Sequence, residues 1–134
     1  MNGVRPIAAF SWLLLASLCF MAMSSGGAFI ETVLPGGLPV GNAIVAVGLS
    51  ALALASVMLS PKDGWQRRVC SSVFFLSVLW LPVSLLLARN LLLNFGGRNG
   101  DIWMVFTLAV LALAFGCWLW ALTVWMYRLK PRRN

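Results

Sequence analysis

Few side chains in this sequence could take part in catalysis or bind a ligand, and the residue types that are missing exclude several kinds of site. There is no histidine, and Cys19, Cys70 and Cys117 form no C-x-x-C pair. Histidine-ligated haem, histidine metal sites and histidine-activated nucleophiles all need a residue type that the sequence lacks. Three separate cysteines also do not resemble a redox dithiol or a thiolate metal site. We expect them to behave as small apolar side chains.

The carboxylates are equally sparse. Glu31, Asp63 and Asp101 are the acidic residues, and the hydropathy pattern places them in different connecting segments. Catalysis by paired carboxylates needs two of them at one site. The sequence also lacks the glycine-rich motifs that bind phosphates or dinucleotides. It therefore predicts a protein that is not an enzyme, with no catalytic residues, no cofactor and no metal site.

The elements that would position any functional residue are long apolar stretches. The chain is 61% hydrophobic and 10% charged, whereas a soluble domain has about 25% charged residues. The windows without any charged residue are Pro6 to Ile30, Thr32 to Pro61, Val69 to Ala88 and Ile102 to Tyr127. As helices that rise about 1.5 Å per residue, each can cross a hydrocarbon core about 30 Å thick.

This pattern predicts an all-α polytopic membrane protein, a four-transmembrane-helix bundle that forms a single integral membrane domain over residues 1–134. We expect the spans at approximately 6–27, 40–60, 69–88 and 102–124. Lipid provides no hydrophobic drive between helices, so small residues four apart favour their close approach. Such pairs occur as Ala22-x-x-x-Gly26, Ala46-x-x-x-Ser50, Ala51-x-x-x-Ala55 and Ala112-x-x-x-Gly116.

The basic residues lie mainly at one end of the predicted bundle, and the chain has a formal net charge of +7. The cations on that side are Arg5, Lys62, Arg67, Arg68, Arg128, Lys130, Arg132 and Arg133. Short loops rich in lysine and arginine stay in the cytoplasm. We therefore expect a multi-pass protein of a bacterial-type cell inner membrane with both termini cytoplasmic (N-in/C-in). The lipid bilayer, and not nucleic acid, accounts for these charges.

The first span also has some features of a secretory signal peptide. Arg5 precedes an apolar run over residues 7–23, and Ala22-Met23-Ser24 resembles a cleavage site. Cleavage would leave three spans and an outside N-terminus. The apolar run is longer than the usual 7–15 residues of a signal peptide. A retained span is therefore the favoured interpretation.

A polar stripe is predicted on the third span. Ser77 and Ser84 are seven residues apart, with Trp80 between them on the same helical face. Trp80 lies near mid-depth, where its indole N–H needs a partner. We expect this stripe to face the bundle interior and to hold helices together. The alternative is a polar pathway for a substrate beside Pro82.

The outer connections are apolar but rich in glycine, and the first also contains Pro35 and Pro39; these residue types stop helices and form turns. In the first, Phe29, Ile30, Leu34 and Leu38 are a candidate outward-facing partner surface. The favoured alternative is that both connections are ordinary interfacial segments. Glu31 and Arg89 both fall near the outer boundary. They are a candidate ion pair that would join the outer ends of two helices, and Asp101 is a second possible partner for Arg89. The favoured alternative is a charge at the membrane boundary whose side chain extends to the interface.

Two functions remain open from the sequence. The first is helix–helix binding to another membrane component, as an accessory or assembly subunit or as an immunity-type protector against a membrane-inserting toxin. The alternative is a homo-oligomeric small transporter or pore for an apolar or amphiphilic substrate. Transport coupled to ions usually needs an ionisable group inside a span. The uncharged windows contain none, so a membrane-protein partner is favoured over functional self-association.

Overall fold

The computed structural model describes residues 4–129, which form long α-helices and short connections. The α-helices are α1, Val4–Ser24; α2, Val40–Leu59; α3, Trp65–Ala88; and α4, Arg98–Leu129. A short 3-10 helix, Ala28–Glu31, lies between α1 and α2. Each of the four α-helices is long and apolar enough to cross a membrane. The predicted all-α architecture with four candidate spans is therefore confirmed.

The helix bounds differ from the predicted spans in both directions. α1 ends at Ser24 and α2 at Leu59, before the expected ends, whereas α3 and α4 continue past the uncharged windows. α3 begins at Trp65 and includes Arg67 and Arg68 in its first turns. α4 begins at Arg98 and ends at Leu129, so it is longer than the predicted span at both ends. A charged residue limits the part of a helix that can enter hydrocarbon, but it does not end the helix.

The second helix is the centre of the bundle. It packs against α1, α3 and α4, and α3 also packs against α4. In its most apolar window, 50% of the residues are buried, compared with 11% in α1 and 17% in α4. Its buried residues are mostly small: they include Gly41, Gly48, Ala51, Ala53, Ala55 and Ser56. Small side chains on several faces allow three helices to approach one backbone closely.

α1 and α2 approach each other closely at Gly48. A Cβ atom at this position would lie 3.0 Å from the Cβ atom of Cys19, which is tighter than ordinary side-chain contacts. On α1, Ala9 and Ala16 are each only 1% exposed. The small-residue pairs identified in the sequence did not include Gly48. The role of Gly48 in this contact depends on where the two helices cross, which the sequence pattern does not give.

At one end of the bundle, α1 interacts with the end of α2. Arg5 Nη2 donates a hydrogen bond to the Ser60 carbonyl oxygen at 3.2 Å. The Ser60 hydroxyl donates to the Ser56 carbonyl at 2.8 Å. These bonds satisfy carbonyls that the end of a helix leaves free, and a cation stabilises a helix C-terminus. The beginning of α1 and the α2–α3 connection therefore lie at the same end of the bundle.

We expect Gly48→Leu to destabilise the purified protein by about 1–3 kcal/mol, the usual effect of overpacking a filled interface. The physical reason is that α1 and α2 must separate to admit the new side chain. The measurement is the free energy of unfolding in mixed detergent micelles.

Gly116→Leu is the matched control, because a Cβ atom on Gly116 meets nothing within 4 Å. It introduces the same side chain into a helix that is open at that point, so its stability should stay close to the parent. Equal losses from both substitutions would contradict the assigned α1–α2 contact.

Candidate functional site

The connection between α1 and α2 is an ordered turn. The Leu34 N–H donates to the Leu38 carbonyl at 2.8 Å, and the Gly37 N–H donates to the Leu34 carbonyl at 2.9 Å. Gly36 and Gly37 have φ angles of 107° and 94°, which residues with a side chain rarely adopt. Val33 and Pro39 form an isolated antiparallel bridge at the base of the turn. These contacts hold the apolar side chains of the loop in a defined arrangement.

The predicted partner residues in this connection are not equally available. Phe29 is 45% exposed and Leu34 is 39% exposed. Ile30 and Leu38 are half-buried. Ile30 fills the space beside Gly41, where an added Cβ atom would clash with it. Ile30 therefore anchors the loop to α2, while Phe29 and Leu34 present apolar surface outwards.

The two outer connections touch each other. A Cβ atom on Gly37 would lie 3.1 Å from Leu91 Cδ1. The second connection is held by Asn90, whose Oδ1 accepts the Asn94 N–H at 3.0 Å and whose Nδ2 donates to the Asn94 carbonyl at 2.8 Å. Together they form a surface that we call the outer cap. Its exposed members are Phe29, Val33, Leu34, Leu91 and Leu92.

The predicted polar stripe of α3 is buried. Ser77 and Ser84 are 0% exposed and Trp80 is 1% exposed. The Ser77 hydroxyl donates to the Val73 carbonyl at 2.9 Å, and the Ser84 hydroxyl donates to the Trp80 carbonyl at 2.7 Å. Each hydroxyl is therefore bonded to its own helix one turn earlier.

Two indole rings connect this stripe to α4. The Trp80 N–H donates to Thr107 Oγ1 at 2.9 Å, and the Trp103 N–H donates to Ser84 Oγ at 2.9 Å. Phe95 from the second outer connection stacks on Trp103 with ring centroids 4.6 Å apart. The polar atoms of this region bond to one another, and we call it the indole network. This arrangement stabilises the α3–α4 contact.

The structure does not bring Glu31 and Arg89 together as an ion pair. Both side chains are exposed, and no ion pair joins them within the described range 4–129. Arg89 ends α3 in a left-handed conformation, with φ of 55°. Glu31 belongs to the 3-10 helix that packs on α2. The sequence predicted only that both residues lie near one boundary, and that prediction does not determine whether the two side chains meet.

Among the surface cavities of the described chain, two lie next to each other along α3, and the sequence did not predict them. An apolar groove of about 540 Å³ lies between α1 and α3 above α2; it is lined by Trp12, Ala46, Val47, Ser50, Ala51, Leu54, Phe74, Val78, Leu81 and Pro82. A basic cavity of about 460 Å³ lies at the α2–α3 connection; it is lined by Lys62, Asp63, Gly64, Arg67, Arg68 and Ser71. The spacing of Arg67, Ser71, Phe74 and Val78 on one face of α3 is the sequence signal that was missed.

The cysteines lie in the protein interior or on its margin. Cys70 and Cys117 are buried and Cys19 is half-buried; all three are free thiols. Cys70 Sγ lies 3.4 Å from Ser60 Oγ, and the Cys70 thiol is the donor there because the Ser60 proton is donated to the Ser56 carbonyl. Within residues 4–129, no group of three or more His, Cys, Asp or Glu side chains is arranged to hold a metal ion.

No protein-family model matches the chain, and neither the curated proteins nor the solved structures include a match. The outer cap, the indole network and the two cavities are therefore the features from which function must be inferred.

We expect Ser84→Ala and Trp103→Phe to show an energetic coupling of about 0.6 kcal/mol, the average for side-chain hydrogen bonds between membrane helices. A double-mutant cycle isolates this bond, since each single variant removes one of its two partners. The measurement is the free energy of unfolding of the parent, both single variants and the double variant in detergent micelles.

Trp103→Phe with Ser77→Ala is the control cycle, because the Ser77 hydroxyl bonds only to the Val73 carbonyl among the described side-chain contacts. That pair should be additive. An additive result for Ser84 and Trp103 as well would rule out a stabilising bond between them.

Proposed function

We propose that this protein binds another integral membrane protein and has no catalytic role. It would serve as an accessory or assembly subunit, or as a protector that blocks a membrane-inserting toxin. The observation that supports this function best is the outer cap, in which ordered connections hold apolar side chains exposed. A patch of this kind on a small protein is typical of an interaction site.

The order of the outer cap favours binding. A flexible loop loses conformational freedom when a partner fixes it, and that loss weakens the complex. Here the turn hydrogen bonds, the positive-φ glycines and the Asn90 side chain already define the backbone. Phe29 and Leu34 can therefore contact a partner with little further ordering.

The outward face of α4 supports helix–helix contact as the mode of binding. Ala109, Ala112 and Gly116 are exposed on this helix. Glycine within a helix costs about 1 kcal/mol relative to alanine, and no neighbour lies within 4 Å of a Cβ atom placed on Gly116. Packing inside the described chain does not use this small residue. A partner helix would benefit from the close approach it allows.

The rival function, a homo-oligomeric transporter or pore, has less support. It requires the Ser77 and Ser84 hydroxyls to contact a substrate beside Pro82. Both hydroxyls already donate to backbone carbonyls, and Ser84 also accepts the Trp103 N–H. A substrate would have to compete with these buried bonds. The partner-binding function needs no such rearrangement.

We propose the inner membrane of a bacterial-type cell as the location, with both termini in the cytoplasm. Arg5, the basic α2–α3 connection and Arg128 lie at the same end of the bundle. The positive-inside rule assigns that end to the cytoplasm. The outer cap would then face the periplasm, where it would meet a partner's outer loops or helix ends.

A photoreactive amino acid at position 34 should cross-link to a different membrane protein in intact cells, because Leu34 is an exposed member of the outer cap. Leu34→Asp should reduce recovery of that protein about tenfold or more, since burial of a leucine contributes about 1.5–3 kcal/mol. Recovery is measured by quantitative mass spectrometry after gentle detergent extraction.

Thr32→Asp is the matched control, because it adds the same charge at an exposed loop residue without removing apolar surface. The double substitution Ser77→Ala and Ser84→Ala should likewise leave recovery nearly unchanged. Cross-linking only to a second copy of this chain, or unchanged recovery with Leu34→Asp, would overturn the proposed function.

The proposed orientation predicts opposite labelling of two single-cysteine variants in a background without native cysteines. Thr32→Cys should react with a membrane-impermeant maleimide on intact spheroplasts. Gly64→Cys should react only in inverted vesicles, because it lies in the connection at the basic end of the bundle. The reverse pattern would show that the basic end faces outwards.

A further inference from the structure

One face of α3 changes from basic to apolar along its length. Arg67, Ser71, Phe74 and Val78 follow one another at intervals of three or four residues, so they share a face of the helix. Arg67 and Ser71 line the basic cavity, and Phe74 and Val78 line the apolar groove. The two cavities therefore follow each other along this face.

The basic cavity has an excess of positive charge. Lys62, Arg67 and Arg68 line it, with Asp63 as the only carboxylate. No ion pair joins Asp63 to these cations in the described segment 4–129. An anion in this cavity would balance the excess positive charge and would accept hydrogen bonds from the guanidinium groups.

The apolar groove provides a complementary surface for hydrocarbon. Its base is the small-residue face of α2, where Ala46 and Ser50 leave space, and its sides are Trp12 of α1 and Phe74 of α3. Ser50 supplies the only hydroxyl of the lining residues. Val78 is 46% exposed at the edge of the groove. The groove therefore opens towards the lipid.

The dimensions of this face match one leaflet of a bilayer. Arg67 and Pro82 are fifteen residues apart, about 22 Å along a helix that rises about 1.5 Å per residue. Half of a bilayer, including its headgroup region, is about 20–22 Å thick. A molecule with its charge at Arg67 could reach the bilayer centre along the groove. An anionic phospholipid has this length and this separation of charge from hydrocarbon.

We propose that this face binds one anionic phospholipid from the leaflet next to the basic end of the bundle. Its phosphate lies among Lys62, Arg67 and Arg68, and one acyl chain occupies the apolar groove. The bound lipid fills the gap between α1 and α3, two helices that otherwise meet chiefly through α2. This site is separate from the outer cap and does not depend on the proposed partner.

Native mass spectrometry of the delipidated protein tests the proposal. Phosphatidylglycerol should bind as one tight adduct per chain, and phosphatidylcholine should bind much more weakly. Arg67→Gln with Arg68→Gln should weaken phosphatidylglycerol binding about thirty-fold, which corresponds to about 1 kcal/mol for each lost cation. Arg98→Gln with Arg128→Gln removes the same charge elsewhere and should leave binding within about twofold.

The acyl-chain half of the site has its own matched pair of variants. Val78→Trp fills the groove and should weaken phosphatidylglycerol binding at least fivefold. Leu79→Trp places the same ring on the neighbouring exposed residue, which does not line the groove, and should have little effect. Because both residues are on the surface, neither variant is expected to prevent folding.

Three results would overturn the proposal. Equal binding of both lipids with no effect of the arginine variants would indicate non-specific adducts. Competition by millimolar inorganic phosphate, together with normal binding by Val78→Trp, would indicate a headgroup-sized anion site without an acyl chain. A Val78→Trp variant that changes oligomeric mass instead of lipid binding would assign the groove to a second copy of the chain.

Discussion

The whole bundle depends on the close approach of three helices to α2. In water, burial of apolar surface would drive these contacts, but lipid tails are as apolar as the side chains they would replace. What remains is van der Waals contact, which is effective only where backbones come near each other. Gly41, Gly48 and the alanines of α2 provide that proximity. The larger side chains of α1 and α4 are then left to face lipid, as the low buried fraction of these helices requires.

The same apolar environment explains the hydrogen bonds of polar groups inside the bundle. A hydroxyl or indole N–H in hydrocarbon needs an internal partner, since no water is available there. Serines on α2 and α3 therefore bond to carbonyls one turn earlier, and the indoles of Trp80 and Trp103 bond to α4 and α3 hydroxyls. These bonds add directionality that close packing alone does not have. They define how α3 and α4 are rotated towards each other.

Four helices could be predicted from the sequence because length and lack of charge are properties of each segment alone. The burial of Ser77, Trp80 and Ser84 was also accessible, since their spacing defines one helical face. The central position of α2 could not be predicted, because all four segments have similar hydropathy. The absence of a Glu31–Arg89 ion pair could not be predicted either. Sequence gives the depth of a residue in the membrane, but its lateral position depends on which helices are neighbours.

The two ends of the bundle differ in the kind of surface that they expose. At the outer end, glycine turns and Asn90 hold apolar side chains in fixed positions outside the helices. At the other end, Lys62, Arg67 and Arg68 line a cavity in which Asp63 is the one carboxylate. A bundle that only had to fold would need neither the exposed apolar cap nor the uncompensated cations. The proposed partner would cover this apolar surface, and the proposed anionic lipid would balance the clustered cations. The asymmetry therefore favours a protein that is held by lipid at one end while it presents a rigid surface at the other.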